Sequence, residues 1–396
     1  MKIAFITSSI EPGKDGMGDY TLSLAAALRS SGHSVLVVGL RERGLMQEGD
    51  AVSGENAHGV RIERLPECIP LHERVGRACA KLTEFGAEWT SFQMSCYAYQ
   101  VKGLLLALSQ QMPQFARACD NWQVMFQELW IGFERGTKWK DCLVGALQRH
   151  WIRRSVANLQ PKLFQTSTPL YRAMLKTIGI EASILPLAGN IPVNPDSGSD
   201  WFLEILGEPG SLIAADKRTR HLVGGFFGAV YLHWEPEPFF SSLRKVAQKT
   251  GQKLTILSAG RMGAGSEIWE RRAAEYPDIR FRKLGELPVE RISQYLQNLD
   301  FGIAATPWQA IGKSSATAAM LDHGVPVMVT RNDFEPRQRL SIAPPSDPLL
   351  ILADRDVSER FIAGLPHRSP RHSASDLAAS FVQQMEAAAK RPRLCS

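Results

Sequence analysis

The chain has 396 residues, of which 44% are hydrophobic and 22% are charged, and its formal net charge is +6. This length exceeds what one hydrophobic core organises comfortably, so we expect two globular domains. The chain lacks a run of about 18 apolar residues, which argues against a membrane span, and the modest charge does not indicate a nucleic-acid partner.

The cysteines and the amino-terminal residues indicate in which cellular compartment the protein is found. Six cysteines are scattered along the chain without a Cys-x-x-Cys pair, so we expect reduced thiols and no zinc site. Met1 and Lys2 lead directly into an apolar strand, without the long apolar segment of a signal peptide. We therefore expect a cytoplasmic protein.

The amino-terminal segment predicts a strand, a helix and a second strand. Residues 2–8 are mainly apolar, and residues 19–31 place apolar side chains at helical spacing. The loop between them contains Gly16, Met17 and Gly18. Because open α/β sheets bind ligands beyond the carboxyl ends of their strands, these residues are candidates for close approach to a ligand. The alternative is a flexible turn before the helix.

Two carboxylates in this half are candidates for chemistry. Asp19 opens the predicted helix, where it either contacts a ligand or caps the helix, as Asp commonly does. Glu128 follows a predicted strand over 122–126 and is close in sequence to Phe126 and Trp130. Partial burial beside these aromatic residues would raise the pKa of Glu128, as in many catalytic carboxylates. The alternative is a structural hydrogen bond.

Strands and helices alternate along the whole chain, which predicts doubly wound α/β domains. Residues 190–200 are rich in Pro, Asp, Ser and Gly and form the best linker candidate. We predict an amino-terminal domain over 1–195, a second domain over 196–370 and a terminal helix within 371–396.

The late segment after the predicted strand over 301–305 indicates an anion site. The chain turns at Gly312 and enters an alanine-rich helix with Lys313 and Ser314 at its start. Free backbone N–H groups, the positive end of the helix dipole and a lysine suit a phosphate. The segment is not a Walker loop, because the upstream glycine is absent. A surface lysine at an ordinary helix start is the alternative.

A second candidate for phosphate recognition is Arg261. It follows a predicted strand over 253–259, where its guanidinium could pair with a phosphate in bidentate fashion. The alternative is an arginine in a solvent-facing loop.

The order of these segments resembles that of the GT-B glycosyltransferases, and more narrowly the retaining glycosyltransferase family 4. The resemblance covers nearly the whole chain and implies an α/β fold of two Rossmann-like domains facing each other across a cleft, with the terminal helix crossing back to the first. The segments that carry it are Gly16-Met-Gly-Asp-Tyr20, Phe226-Phe-Gly228, Leu284-Gly-Glu-Leu287, Asp300-Phe-Gly302 and His323-Gly-Val-Pro-Val327.

The resemblance implies transfer of a sugar from a nucleotide-sugar donor to an acceptor hydroxyl, with retention of anomeric configuration and without a metal or other cofactor. Sugars, lipid-linked compounds and small molecules all remain possible acceptors, and peripheral membrane contact remains open. The acceptor would contact Gly16, Met17 and Gly18, with Glu128 and Asp19 as catalytic residues. The implied donor residues are Gly228, Arg261, Leu284, Gly285, Gly312, Lys313, Ser314 and Ser315.

One departure from that family concerns its Glu-x7-Glu motif. Alignment on Gly324-Val-Pro326 places Ile311 and Ala319 where the family has its two glutamates. The first glutamate would usually face the donor sugar, and the second would usually hold the ribose hydroxyls. Their absence leaves open an altered donor or a non-catalytic, nucleotide-binding relative. A sugar-nucleotide epimerase of similar two-domain shape is a third possibility.

Overall fold

The computed structural model describes residues 1–207, 220–230 and 234–390. The chain divides into two compact units. The first comprises Met1–Leu187, Glu335–Ala343 and the segment from Ala374 onward, and the second comprises Ala188–Phe334 and Pro344–Ser373.

The first unit is built on an eight-stranded sheet of order β3-β4-β2-β1-β5-β6-β7-β8. Only the edge strand β3 is antiparallel to its neighbour, and the other pairs are parallel. The strands are β1 (Lys2–Thr7), β2 (Ser34–Glu42), β3 (Val52–Glu55), β4 (Arg61–Pro66), β5 (Trp89–Met94), β6 (Trp122–Phe126), β7 (Leu163–Thr166) and β8 (Ser183–Ile184).

Helices of the first unit connect these strands and cover the sheet. Residues 3–6 of β1 are all fully buried, as a central parallel strand covered on both faces requires. The helices are α1 (Gly16–Ser30), a 3-10 turn (Glu48–Asp50), α2 (Leu71–Phe85), α3 (Cys96–Tyr99), α4 (Leu106–Ala118), α5 (Trp139–Leu159) and α6 (Pro169–Lys176).

The second unit contains a six-stranded parallel sheet of order β11-β10-β9-β12-β13-β14. Its strands are β9 (His221–Phe227), β10 (Lys253–Ala259), β11 (Arg280–Gly285), β12 (Phe301–Ala304), β13 (Val327–Val329) and β14 (Leu350–Leu352). Its helices are α7 (Ser199–Ile205), α8 (Phe239–Thr250), α9 (Gly265–Glu275), α10 (Val289–Gln297), a 3-10 helix (Trp308–Lys313), α11 (Ser315–Asp322) and α12 (Ser358–Ala363).

Two apolar clusters form the core of the second unit, and β9 contributes to both. Leu222 and Phe226 belong to the cluster that contains Trp234 and Trp269, whereas Val223 belongs to the other. Alternate residues of a strand point to opposite faces, so the clusters lie on the two faces of the sheet. The fold prediction of two Rossmann-like units is confirmed.

The final helix, α13 (Ser373–Ala389), belongs to the first unit from Ala374 onward. Phe381 of this helix stacks on Phe5 of β1, with ring centroids 5.8 Å apart. Both side chains are buried, so the helix contributes to the core of the first unit although it lies at the far end of the sequence.

Candidate functional site

The strand order of the second unit reverses between β9 and β12, because β10 and β11 lie on one side and β13 and β14 on the other. Gly228 follows β9, and residues 305–315 follow β12. Both segments therefore leave the sheet at its carboxyl edge, on the two sides of the switch point. Open α/β sheets bind ligands in this position.

The segment after β12 forms a capped helix start. The predicted turn at Gly312 is instead part of a 3-10 helix that ends at Lys313. Ser314 then caps α11, since its Oγ accepts a hydrogen bond from the backbone N–H of Thr317 at 3.1 Å. The first-turn N–H groups of Ser315 and Ala316 are the ones that helix geometry leaves available to an anion.

Backbone hydrogen bonds link the loops that follow β9, β10 and β11. Gly228 donates its N–H to the carbonyl of Ala259 at 2.8 Å, and Gly260 donates to the carbonyl of Gly285 at 2.7 Å. Gly228 and Gly285 have φ angles of 80° and 71°, which favour glycine. The structure thus brings the predicted residues Gly228 and Gly285 to one edge, and the predicted Leu284 precedes Gly285 at the end of β11.

Two of the predicted donor residues, Arg261 and Gly285, line one open pocket of about 440 Å³. Arg261 pairs with Glu286 at 2.8 Å, and both side chains are more than 60% exposed. Such an exposed pair contributes little to stability, so Arg261 can exchange its partner for a phosphate. The remaining lining residues are Gly260, Met262, Gly263, Ser266 and Lys283.

Sequence reasoning missed Lys283 in this pocket. Its Nζ lies 2.9 Å from Ser266 Oγ and also contacts the carboxylate of Glu270. A signal was available in the sequence, because Lys283 lies near the carboxyl end of β11, and open α/β sheets bind ligands beyond the carboxyl ends of their strands. The pocket therefore has two cations, Lys283 and Arg261.

Ile311 and Ala319, which the sequence-based alignment predicts to replace two glutamates, are part of the apolar core. Ile311 is 2% exposed and Ala319 is fully buried, and both belong to one apolar cluster. A Cβ added to Gly189 would lie 2.8 Å from the Cα of Ala319, so the chain packs directly on α11 at this point. Neither position provides a polar group to a ligand.

The first unit has a corresponding switch point between β1 and β5. Here α1 begins at Gly16, so Gly16, Met17 and Gly18 form the first helical turn and not the predicted loop. Asp15 is the reason, because its side chain accepts a hydrogen bond from the Met17 N–H at 3.0 Å and caps the helix. Of the two alternatives for Asp19, the helix cap is therefore wrong.

Asp19 instead accepts a hydrogen bond from the backbone N–H of Gly13 at 3.0 Å. Burial raises the pKa of its carboxyl group, and the negative charge of Asp15 adds to the increase, while the Gly13 hydrogen bond opposes it. A carboxylate with a raised pKa is a better proton acceptor than one in free solution.

The two glycines of the first turn have different surroundings. A Cβ added to Gly18 would lie 2.1 Å from the carbonyl oxygen of Ser9, whereas one added to Gly16 would meet nothing within 4 Å. Gly18 therefore permits close packing of the helix on the loop after β1. Gly16 faces open space, which a ligand could fill.

Glu128 is exposed, so the predicted partial burial beside Phe126 and Trp130 is wrong for its carboxylate. Its Oε2 accepts a hydrogen bond from Ser95 Oγ at 3.3 Å. Burial raises the pKa of the neighbouring Cys96 to about 12, and the charge of Glu128 adds to this increase. Cys96 therefore remains a neutral thiol, and Glu128 provides the charge at this position.

A buried carboxylate that sequence reasoning missed, Glu42, holds the loop after β1. Its Oε1 accepts from the Ile10 N–H at 2.6 Å, and its Oε2 accepts from Ser9 Oγ at 2.9 Å and from Arg64 at 2.8 Å. Glu42 is fully buried at the end of β2. Its place at the end of an apolar strand was the available signal.

Among the described residues, no group of three or more His, Cys, Asp or Glu side chains is arranged to hold a metal ion. Within the same ranges, the helices are too short or too polar for any of them to cross a bilayer.

The chain matches no protein-family model and no curated protein sequence. Solved structures do match it over nearly its full length. The catalytic domain of starch synthase IV from Arabidopsis thaliana, solved with ADP and acarbose, is 13% identical with a TM-score of 0.55, over 99% of this chain and 100% of that one.

Two other solved structures give the same result. Sucrose-phosphate synthase from Thermosynechococcus elongatus is 15% identical with a TM-score of 0.52, over 98% of this chain and 94% of that chain. A glycosyltransferase from Rickettsia africae is 11% identical with a TM-score of 0.50, over 98% and 92%. The chain therefore has the fold of GT-B glycosyltransferases.

Proposed function

We propose that this protein is a glycosyltransferase that moves a sugar from a nucleotide-sugar donor to an acceptor hydroxyl, with retention of configuration and without a metal. The observation that carries this proposal is the capped helix start at Ser314, which follows β12 at the switch point of the second unit. The fold shared with glycosyltransferases supports the same conclusion.

The donor diphosphate contacts the Gly312–Ser315 segment. Lys313 and the first-turn N–H groups stabilise the negative charge that develops on the diphosphate as the bond to the sugar breaks. Strand spacings of about 4.8 Å place β10 about 10 Å and β11 about 14 Å from β12, so an extended nucleoside diphosphate bound at Gly312–Ser315 reaches toward the ends of these strands. The nucleoside then lies near Leu284 and Gly285, with Arg261 and Lys283 as additional cations.

The acceptor binds to the first unit, against the first turn of α1. Gly16 gives it space, and the buried Met17 and Gly18 hold this turn against the loop after β1. Glu128, held by Ser95, orients the acceptor hydroxyl. The raised pKa of Asp19 suits it to accept a proton.

In the transfer, one bond to the anomeric carbon breaks, another forms, and the proton of the acceptor hydroxyl is taken up. The bond between the anomeric carbon and the diphosphate oxygen breaks, and its electron pair leaves with the diphosphate. The acceptor oxygen bonds to the same carbon on the same face, and its proton passes to Asp19 or to the leaving diphosphate. Positioning of the two reactants provides much of the rate enhancement.

A second candidate function is a non-catalytic protein that binds nucleotides or sugar nucleotides. The burial of Ile311 and Ala319 favours it, because the family glutamates at these positions would contact the donor. This candidate retains the phosphate site at Lys313 but lacks the transfer reaction.

Calorimetry with UDP and with ADP, combined with assays of donor consumption, separates the candidates. Transfer predicts binding of a nucleoside diphosphate and consumption of a donor, including slow hydrolysis without an acceptor. Binding without consumption across a broad panel favours the non-catalytic protein, and a changed sugar nucleotide without any acceptor indicates an epimerase. Absence of nucleotide binding contradicts all three.

A further inference from the structure

Helix α5 presents a row of large apolar side chains to solvent. Trp139, Leu143 and Leu147 are 71%, 55% and 42% exposed. They are spaced four residues apart, so they lie on one face of the helix. Exposed apolar side chains in a continuous row, unlike scattered ones, indicate a contact surface.

Cations flank this row. With 3.6 residues per turn, Lys140, Arg153 and Arg154 lie on the same side of α5, and all three are exposed. The Nζ of Lys140 is 5.8 Å from the centre of the Trp139 ring. From 138 to 159 the sequence has a single acidic residue, Asp141, which helical geometry places on the opposite side.

The opposite face of α5 is firmly packed. Gly145, Gln148 and Ile152 are buried, and Gln148 accepts a hydrogen bond from the Ile131 N–H at 3.0 Å. A Cβ added to Gly145 would lie 1.9 Å from the carbonyl oxygen of Ile131. The helix is therefore held in place, and its apolar row is a fixed part of the surface.

We propose that this surface, formed by Trp139, Leu143, Leu147 and the flanking cations, docks the protein on an anionic lipid bilayer. The apolar side chains enter the headgroup region, and Lys140, Arg153 and Arg154 contact lipid phosphates. A helix with Trp and Leu on one side and cations beside them is typical of interfacial binding. A standard protein interface uses about 20 residues on each side, far more than this row offers.

Co-sedimentation of the full chain with vesicles tests the proposal. We expect binding to vesicles of phosphatidylglycerol and phosphatidylcholine, weaker binding at high salt, and little binding to phosphatidylcholine alone. Each cation near an anionic surface contributes about fivefold to partitioning, so Arg153→Gln/Arg154→Gln should reduce binding by about 25-fold. Leu143→Ser/Leu147→Ser should also reduce it strongly.

Two matched variants serve as controls. Arg43→Gln/Arg355→Gln removes the same charge from other exposed positions, and Val289→Ser/Ile362→Ser removes exposed apolar side chains elsewhere. Wild-type-like binding by both controls supports the proposal. Absence of vesicle binding, equal losses in variants and controls, or self-association that is lost in Leu143→Ser without vesicle binding would overturn it.

Discussion

Gln165 in β7 donates a hydrogen bond from its side-chain amide to Oε1 of Gln384 in α13, at 2.8 Å. This bond ends a chain in which each amide or hydroxyl donates to the next across the first unit. The chain begins near the carboxyl edge of the sheet, beside Glu128, and reaches the final helix. Its members, in order, are Gln127, Gln93, Ser91, Gln123, Gln165 and Gln384.

Removal of the last member should destabilise the first unit. Gln384→Ala leaves the buried amide of Gln165 without its acceptor, which costs about 1–3 kcal/mol in the free energy of unfolding. Urea unfolding measures this loss. The matched control is Gln383→Ala, since Gln383 is exposed. Equal stabilities of the two variants would show that the hydrogen-bond chain does not stabilise the unit.

The two glycines at the start of α1 should respond differently to the same substitution. Gly18→Ala forces the Ser9 carbonyl to move, because the added Cβ would lie 2.1 Å from its oxygen. We expect a loss of about 1–3 kcal/mol, as for overpacking. Gly16→Ala should have the stability of the wild type, but it should transfer sugar to the acceptor more slowly. Thermal unfolding and transfer assays of both variants check this, and equal destabilisation would contradict it.

Stability should fall in mild acid because of His323. Its Nδ1 donates to the Ala319 carbonyl at 2.7 Å, so its Nε2 accepts from Ser293 Oγ at 2.9 Å. Burial lowers the pKa of His323, with His372 adding to this decrease, while the Ala319 hydrogen bond and Asp322 oppose it. The unfolded chain then binds the proton more readily, so stability is lost as pH falls below about 6.5.

Urea midpoints at about pH 7.5 and about pH 5.5 measure this effect. The variant His323→Gln should lose less stability between the two conditions than the wild type. Identical pH dependence in the two proteins would remove His323 as the source.

Arg261→Ala should weaken binding of a nucleoside diphosphate several-fold, through loss of a charge-assisted hydrogen bond. Stability should change little, because the Arg261–Glu286 ion pair is exposed. Calorimetry measures the affinity, and Arg271→Ala, at another exposed arginine of the same unit, is the control. Unchanged affinity in Arg261→Ala, or an equal loss in the control, would contradict the assignment.

The alternation of strands and helices was predictable because apolar periodicity is local. The start of α1 was not, since both Asp15 and Asp19 suit a cap and only the chain path decides between them. Asp15 is the cap, because the backbone at this position brings its side chain within hydrogen-bond distance of the Met17 N–H. The late helix was predicted, but its start was placed at a turn at Gly312, whereas Gly312 and Lys313 end a 3-10 helix and Ser314 caps α11.

Two residues of the candidate site were missed because they act through contacts between segments that are distant in the sequence. Lys283 reaches the pocket of Arg261 because β10 and β11 are neighbours in the sheet. Glu42 holds the loop after β1 through hydrogen bonds that span 32 and 33 residues. A single sequence does not specify such pairings, although it places each residue at a strand end.

The most direct test of the account is a crystal structure of the protein soaked with UDP or ADP. We predict that the diphosphate lies against Gly312, Lys313 and the first-turn N–H groups of α11, with the base near Gly285. In calorimetry, Lys313→Ala should weaken the same binding several-fold, whereas Lys249→Ala should not. A diphosphate bound elsewhere, or unchanged affinity in Lys313→Ala, would contradict the central claim.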